Sequence, residues 1–310
     1  MRILVTGGAG FIGSHLVALL VSSGEEVEVL DDLSSGRAEN IPSSVPLIKM
    51  DINDERLAEK VAAGQFDAIV HLAAQTMVDT SIKEPKRDMQ INIAGTLNVL
   101  EAARLSGVRR VVFASTAASY GDVAADKLPI KETEPLNPLS FYGLSKITVE
   151  KYLDLYQKLF GLEYVVLRFA NVYGERQGMG GEGGVISIFA KLIAENKGIK
   201  IFGNGEQTRD FVYAGDIARG IYSALRSVND NEVYNLCTAT ETSLNELVKI
   251  LARVAKKKIS PRYETAREGD IERSMLDNAK ARDKLGWEAE ISLEEGLTRT
   301  YNYFKRVSAK

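Results

Sequence analysis

The chain begins MRILVTGGAGFIGSH, a β-type run leading into glycines at 7, 8, 10 and 13 and then an apolar segment. Glycine allows a tight turn and close backbone approach, so this stretch predicts a first strand folding directly back into a first helix. The pattern then repeats. RILVT (2–6), EVEVLD (26–31), PLIKMD (46–51), DAIVHLA (67–73), RVVFAS (110–115) and YVVLRFA (164–170) predict strands, nearly all apolar, as in a parallel sheet buried on both faces. Segments 11–24, 54–64, 87–107 and 141–161 predict the intervening helices, several of them stopping at glycine. Strand, helix, strand in this order means right-handed crossovers and an α/β fold with a doubly wound parallel sheet.

After about residue 172 the rhythm breaks at the glycine-rich ERQGMGGEGG (175–184). The expected organisation is a first domain over 1–172 and a smaller C-terminal α/β lid over 173–310, with part of 210–238 returning to the first. A formal charge of −3 argues against nucleic acid or a membrane surface as partner, and no apolar run is long enough to span a bilayer. One cysteine, Cys237, excludes an intrachain disulfide, and two histidines, His15 and His71, are too few for a His-based metal site. The expectation is a cytoplasmic protein with no structural metal.

A glycine turn between first strand and first helix is what a dinucleotide phosphate site requires. The helix N-terminus offers unpaired N–H groups and partial positive charge, reachable only where no side chain intervenes. Gly7 and Gly8 permit the turn, Gly10 the close approach, and Gly13 the packing of helix on strand. Asp31, ending the second strand, suits the adenosine ribose hydroxyls and repels a 2′-phosphate, which favours NAD over NADP; Arg37 in SSGR is the residue that argues the other way. Asp51, ending the third strand, is placed to meet the adenine edge, and the small HLAA stretch (71–74, with Leu72, Ala73 and Ala74) lets a cofactor lie across the strand ends. His71 and His15 are expected to be packing residues.

FASTAASYG (113–121) and FYGLSK (141–146) carry the reactive groups. Tyr142 and Lys146, four apart, share a helix face. An ammonium near a phenol favours phenolate and should lower the tyrosine pKa, making Tyr142 a general base for a hydroxyl being oxidised. Ser115 and Thr116 supply hydroxyls at a strand end upstream.

TGGAGFIGS, DLSSG, HLAAQ, ASTAASYGD, YGLSK, RFANVYGERQ and RDFVYAGDIARG, in order and nearly end to end, resemble the extended short-chain dehydrogenase/reductase family and, within it, the nucleotide-sugar 4-epimerases. The resemblance implies a Rossmann-type sheet with a substrate lid, tightly bound NAD, and 4-epimerisation of a UDP-hexose through a 4-keto intermediate. It assigns Thr116, Tyr142 and Lys146 to catalysis. It assigns Gly7, Gly10, Phe11, Ile12, Gly13, Asp31, Asp32, Ser35, Gly36, Asp51, Ile52, Leu72, Ala73, Ala74, Asn92 and Ser115, with Tyr142 and Lys146, to the cofactor. Thr116, Asn171, Val185, Phe202, Arg209, Arg267, Asp270 and Ser274 go to the UDP-sugar. Related dehydratases follow their Thr with an Asp-Glu pair, and related decarboxylases keep a Glu two residues on; here Thr116 is followed by Ala117 and Ala118, leaving no group there to divert a keto sugar. Serine at 274, where some relatives carry tyrosine, implies room for an N-acetyl group. Relatives pair through helices matching 87–107 and 141–161, which implies a homodimer. Other activities on the same scaffold, a UDP-glucuronate 4-epimerase or a 4-keto reductase, and a non-catalytic NAD and sugar-nucleotide sensor, are the alternatives.

Overall fold

The computed structural model describes residues 1–178, 183–266 and 271–308. Six expected strands form: β1 (Arg2–Thr6), β2 (Glu26–Asp31), β3 (Leu47–Lys49), β4 (Ala68–His71), β5 (Arg110–Thr116) and β6 (Glu163–Phe169). All neighbours pair parallel, and a seventh strand completes the order β11-β6-β5-β4-β1-β2-β3. That seventh strand, β11 (Glu232–Leu236), lies beyond the break in rhythm. The chain builds outward through β1, β2 and β3, then returns to lay β4 on the other side of β1. The reversal opens a crevice beyond the carboxyl ends of β1 and β4, where ligands bind in wound sheets.

Alternate residues feed two cores. Ile3 and Val5 face α1 (Phe11–Ser22), while Leu4 and Ile69 face α2 (Leu57–Gly64) and the helices after β4. β3 is the exception to the apolar pattern, because an edge strand is buried on one side only; Lys49 is exposed. A short α3 (Val78–Lys83) follows β4. The single helix expected over 87–107 starts earlier and is not regular. It runs as α4 (Pro85–Met89), a π turn over Gln90–Gly95, and α5 (Thr96–Leu105). Proline is favoured at its first turn because no backbone donor is needed there. α6 (Phe141–Phe160) is capped by Ser140, whose hydroxyl accepts the Gly143 N–H at 3.1 Å, and ends at Gly161 with φ 75°.

The remaining strands are short pairs: β7 (Asn171–Tyr173) with β10 (Phe211–Tyr213), β8 (Lys200–Phe202) with β13 (Arg262–Glu264), and β9 (Thr208–Arg209) with β12 (Thr242–Ser243). A third core joins α7 (Val185–Ala194), α9 (Leu244–Ala255) and α11 (Leu293–Ser308). α8 (Ala214–Arg226) and α10 (Ala279–Leu285) return to the first sheet's core through Ile217, Ile221 and Ala281. Residues 275–277 are stitched beside Ile130, whose N–H donates to Met275 O and whose carbonyl accepts from Asp277, both at 2.8 Å.

Candidate active site

At the crevice, Gly7 has φ 69° and donates its N–H to Leu30 O at 2.8 Å. A Cβ on Gly7 would stand 2.7 Å from Ala73 N, and one on Gly13 2.7 Å from Gly8 Cα. The turn therefore closes only with glycine at both places. Gly10 is the N-cap of α1, without a side-chain cap, and the first turn, where Phe11 and Ile12 are half-buried, holds no acidic residue. Its N–H groups remain available to an anion. Asp31, 6% exposed, accepts Ala9 N–H and Leu33 N–H, each at 2.9 Å, one on each oxygen. Each oxygen keeps a lone pair for a hydroxyl. Burial raises its pKa, against the two backbone donors. Gly36 faces this carboxylate at a separation with no room for a Cβ. Uncapped helix, side-chain-free turn and ribose-type acid together fit a dinucleotide. Ser35 is exposed, and Asp32 holds Ser34 N–H and Oγ in its own turn. Arg37 lies 3.8 Å from Glu39.

Leu72, Ala73 and Ala74 run half-buried along the end of β4. Asp51 is exposed and turned onto Asn53, accepting its N–H at 2.8 Å, while Ile52 is buried against Gly95. Asn92 is spent inside the protein: its amide bonds both backbone groups of Gln75 at 2.9 Å and Asp88 at 3.0 Å. His71 is pinned between Thr6 Oγ1 at 2.7 Å and Thr96 Oγ1 at 2.9 Å. Thr96 donates its own proton to Asn92 O, so Nε2 of His71 carries the hydrogen and Nδ1 accepts from Thr6. Burial, then the nearby Lys146, push its pKa down to about 3.

Thr116 ends β5, and Tyr142 lies one residue into α6. A Cβ on Gly143 would meet Ala118 O at 2.6 Å, so glycine lets the helix press on the turn after β5. That contact sets Tyr142 beside the turn that follows Thr116, whose Oγ1 accepts the Ala118 N–H at 3.1 Å. Lys146, 4% exposed, donates to Ala114 O at 3.0 Å and sits 5.8 Å from the centre of the Tyr142 ring. The expected lowering of the phenol pKa is not what these residues produce alone. Burial pushes Tyr142 up to about 12, against the opposing pull of the Thr116 hydroxyl, and pushes Lys146 down to about 8. Low-dielectric surroundings disfavour both charged forms, and the lysine donates to a carbonyl rather than to the phenol.

Ser115 is turned inward and donates to Glu150 at 2.6 Å. Glu150 is forked by Arg168 at 3.0 and 2.6 Å, and Arg168 also donates to Tyr120 at 2.9 Å. Tyr120 in turn donates to Asn235 of β11 at 2.7 Å. Nothing in the local pattern announced this buried relay.

On the other side, Asn171 starts β7 and donates its N–H to Asp210 O at 2.9 Å; Arg209 adjoins it in β9, its guanidinium donating to Thr208 O at 2.8 Å. Asp210, 1% exposed, accepts Thr238 N–H and Oγ1 and Ala239 N–H at 2.7–3.0 Å. Ser274 is half-buried between Glu272, whose carbonyl takes Thr208 N–H, and the Met275 bond to Ile130. Val185 opens α7 and Phe202 closes β8, both half-buried. Arg267 and Asp270 lie outside the described residues. Among the described residues no cluster of His, Cys, Asp and Glu is arranged to hold a metal, and no helix is long and apolar enough to cross a membrane.

Comparison with known proteins places this arrangement. A model of the NAD dependent epimerase/dehydratase family matches residues 3–237. The chain is 45% identical to a putative UDP-glucose 4-epimerase of Methanocaldococcus jannaschii, covering 98% of both chains. It resembles the crystal structure of UDP-glucose 4-epimerase with UDP-glucose from Thermotoga maritima, at TM-score 0.96 and 42% identity over 99% of this chain and 100% of that one. It also resembles a UDP-N-acetylglucosamine 4-epimerase of Methanobrevibacter ruminantium M1 in complex with UDP-N-acetylmuramic acid, at TM-score 0.93 and 34% identity over 100% and 99%. On the glycine turn, the Tyr142–Lys146 helix and these full-length likenesses, the chain belongs to the NAD dependent epimerase/dehydratase family.

Proposed function

We propose that the protein is a UDP-hexose 4-epimerase, acting on UDP-glucose and UDP-galactose through a 4-keto sugar. The observation that carries this reading is the packing of the Tyr142 helix, at Gly143, on the turn after β5, where Thr116 is followed by two alanines, 117 and 118. Bound NAD supplies the hydride chemistry and, when oxidised, a positive ring. Gly7, Gly10 and Gly13 clear the approach of its diphosphate, and Asp31 takes its ribose. Tyr142 removes the C4 hydroxyl proton and later returns it; Thr116 shares its hydrogen bond and steers the proton. Lys146 contributes positive charge on the same helix face, which favours phenolate. Because no acid or base follows Thr116, the keto sugar is left with reduction back to an alcohol from either face, and reduction from the opposite face is epimerisation.

Asn171 and Arg209, with Arg267 and Asp270, are our candidates for holding the nucleotide diphosphate and ribose, and Val185 and Phe202 for flanking the uracil. Ser274 leaves room at the sugar C2 substituent, so UDP-GlcNAc and UDP-GalNAc belong to the proposed substrate range; the likeness to a UDP-N-acetylglucosamine 4-epimerase supports this. We also propose a homodimer. Phe141, Leu144, Tyr152, Leu155 and Leu159 form one apolar stripe along α6, each 36–68% exposed, as a helix pair between subunits requires. The cytoplasm is the proposed location.

The test is incubation of the purified protein with UDP-galactose, read by proton NMR. UDP-glucose should form up to equilibrium without added reductant. A dehydrated or decarboxylated product, stoichiometric release of reduced cofactor, or no turnover on any UDP-hexose defeats the reading.

A further inference from the structure

Two carboxylates are buried at the helix that carries Lys146, Glu150 within it and Asp88 joined to it through Asn92 and Ser145, and their surroundings differ. Glu150, one turn along α6, is matched at contact by the guanidinium of Arg168 at 2.6 Å. Asp88, in α4 and 1% exposed, has only neutral side-chain partners among the described residues: Asn92 Nδ2 at 3.0 Å and Gln75 Nε2 at 2.9 Å. Those amides also clamp the backbone that follows β4. Asn92 bonds both the N–H and the carbonyl of Gln75, and its Nδ2 approaches Ser145 Oγ at a longer 3.4 Å. Ser145 adjoins Lys146 and donates to the Tyr142 carbonyl at 2.9 Å. Asn92 sits in the π turn, where one extra residue per turn swings its amide into this junction.

We infer that Asp88 is a positioning residue for the Tyr142–Lys146 pair: the uncompensated buried carboxylate that keeps Lys146 cationic while its amide clamp fixes the loop after β4 against α6. The charges around the pair sort simply. From β4 comes His71, neutral between two threonines. From β5 comes the Thr116 hydroxyl, and from β6 comes Arg168, whose charge is spent on Glu150. Among the described residues that leaves Asp88 as the buried anion of this junction with no cationic side chain bonded to it. Desolvation dominates the lysine's fall to about 8; Asp88, then Glu150, oppose it. The same carboxylate helps hold the Tyr142 phenol up, behind burial. Asp88 thus trades a less acidic phenol for a lysine that stays charged.

The catalytic meaning of the inference rests on the 4-epimerase reading, but its test does not. Holoenzyme labelled with 13Cε-lysine is titrated by NMR, the Lys146 signal being identified by its loss in Lys146→Met. Asp88→Asn keeps shape and an acceptor oxygen and removes the charge. Lys146 should then titrate about one pH unit lower than in the parent, and the alkaline limb of kcat should move down with it. Asp88→Glu, which keeps the charge, should stay near the parent. An unmoved Lys146 in Asp88→Asn, or an equal fall in Asp88→Glu, overturns the inference. Should Asp88→Asn fail to fold, Asp88→Glu against Asp88→Gln makes the same comparison of charge at a longer side chain. A lysine shift in a protein without turnover sinks the epimerase reading alone; turnover without the shift sinks this inference alone.

Discussion

Thr116 and Arg209 both stand at the ends of strands, but the strands are unlike. β5 runs seven residues between two parallel neighbours, β4 and β6, and is buried along most of its length. β9 is two residues long and pairs with two others. It is held in place by side chains: Thr208 Oγ1 donates to Glu241 at 2.5 Å, and Arg273 binds the same carboxylate at 2.5 and 3.0 Å. Asp210, the residue after β9, is tied to the 238–239 loop through its own carboxylate. A group on the sheet inherits its position from backbone pairing that tolerates little change. A group on the second region inherits it from a few replaceable side chains. Under the proposed function, the chemistry rides on the first and sugar selection on the second.

The comparison breaks if the proposed catalytic groups gathered at the end of β5 turn out to be structural. Tyr142→Phe removes one hydroxyl, so kcat should fall about 10²–10⁴-fold while bound NAD and the melting temperature stay near parental values. Loss of cofactor or fold in that variant would mean that the tyrosine serves the scaffold. Arg168→Ala is the converse case. It leaves Glu150 buried without its partner and should cost about 3–5 kcal/mol in urea unfolding; a cost below about 1 kcal/mol would show that the relay behind β5 is dispensable.

The second region should respond by retuning rather than failing. If Ser274 faces the sugar as proposed, Ser274→Tyr adds bulk beside the C2 substituent, so kcat/KM for UDP-GlcNAc should drop roughly 10–200-fold with UDP-galactose turnover and stability little changed. Equal loss on both sugars would erase the proposed division of labour. The smallest effect sharpens the first region's rigidity. His71 titrates near 6.5 when unfolded and at about 3 when folded, because burial resists its charge. The unfolded chain takes up that proton first, so stability should fall as pH drops from 6.5 toward 3, by up to about 1.4 kcal/mol per pH unit. His71→Gln should shallow that slope by one proton in denaturation curves taken across the range.

The glycine turn, the six strands and the Tyr142 helix were legible because each is a local pattern: a period, a cap, or a breaker. The π turn was not, since QINIAG has no feature that separates it from the helix on either side. Asp88 reads as one more charge on a helix, and its burial depends on Gln75, which a different element delivers. Glu150 and Arg168 meet only because α6 folds back on β6. The spacing of Tyr142 and Lys146 was legible, but the burial that outweighs it at both groups was not, because spacing reports proximity and not solvent exclusion. Asn92 was placed at the cofactor by resemblance, whereas its amide is taken up by Gln75 and Asp88.

The last strand of the sheet also sets an order in time. β6 is EYVVLRF, buried from its second residue onward in the finished protein, and its outer edge is covered only by β11. A growing chain therefore carries that edge uncovered, for roughly several seconds at ordinary synthesis rates, until the stretch ending at Leu236 has emerged. Unpaired apolar edges invite other chains. A chain stopped at residue 172 keeps the edge for good and should precipitate where the full-length chain stays in solution.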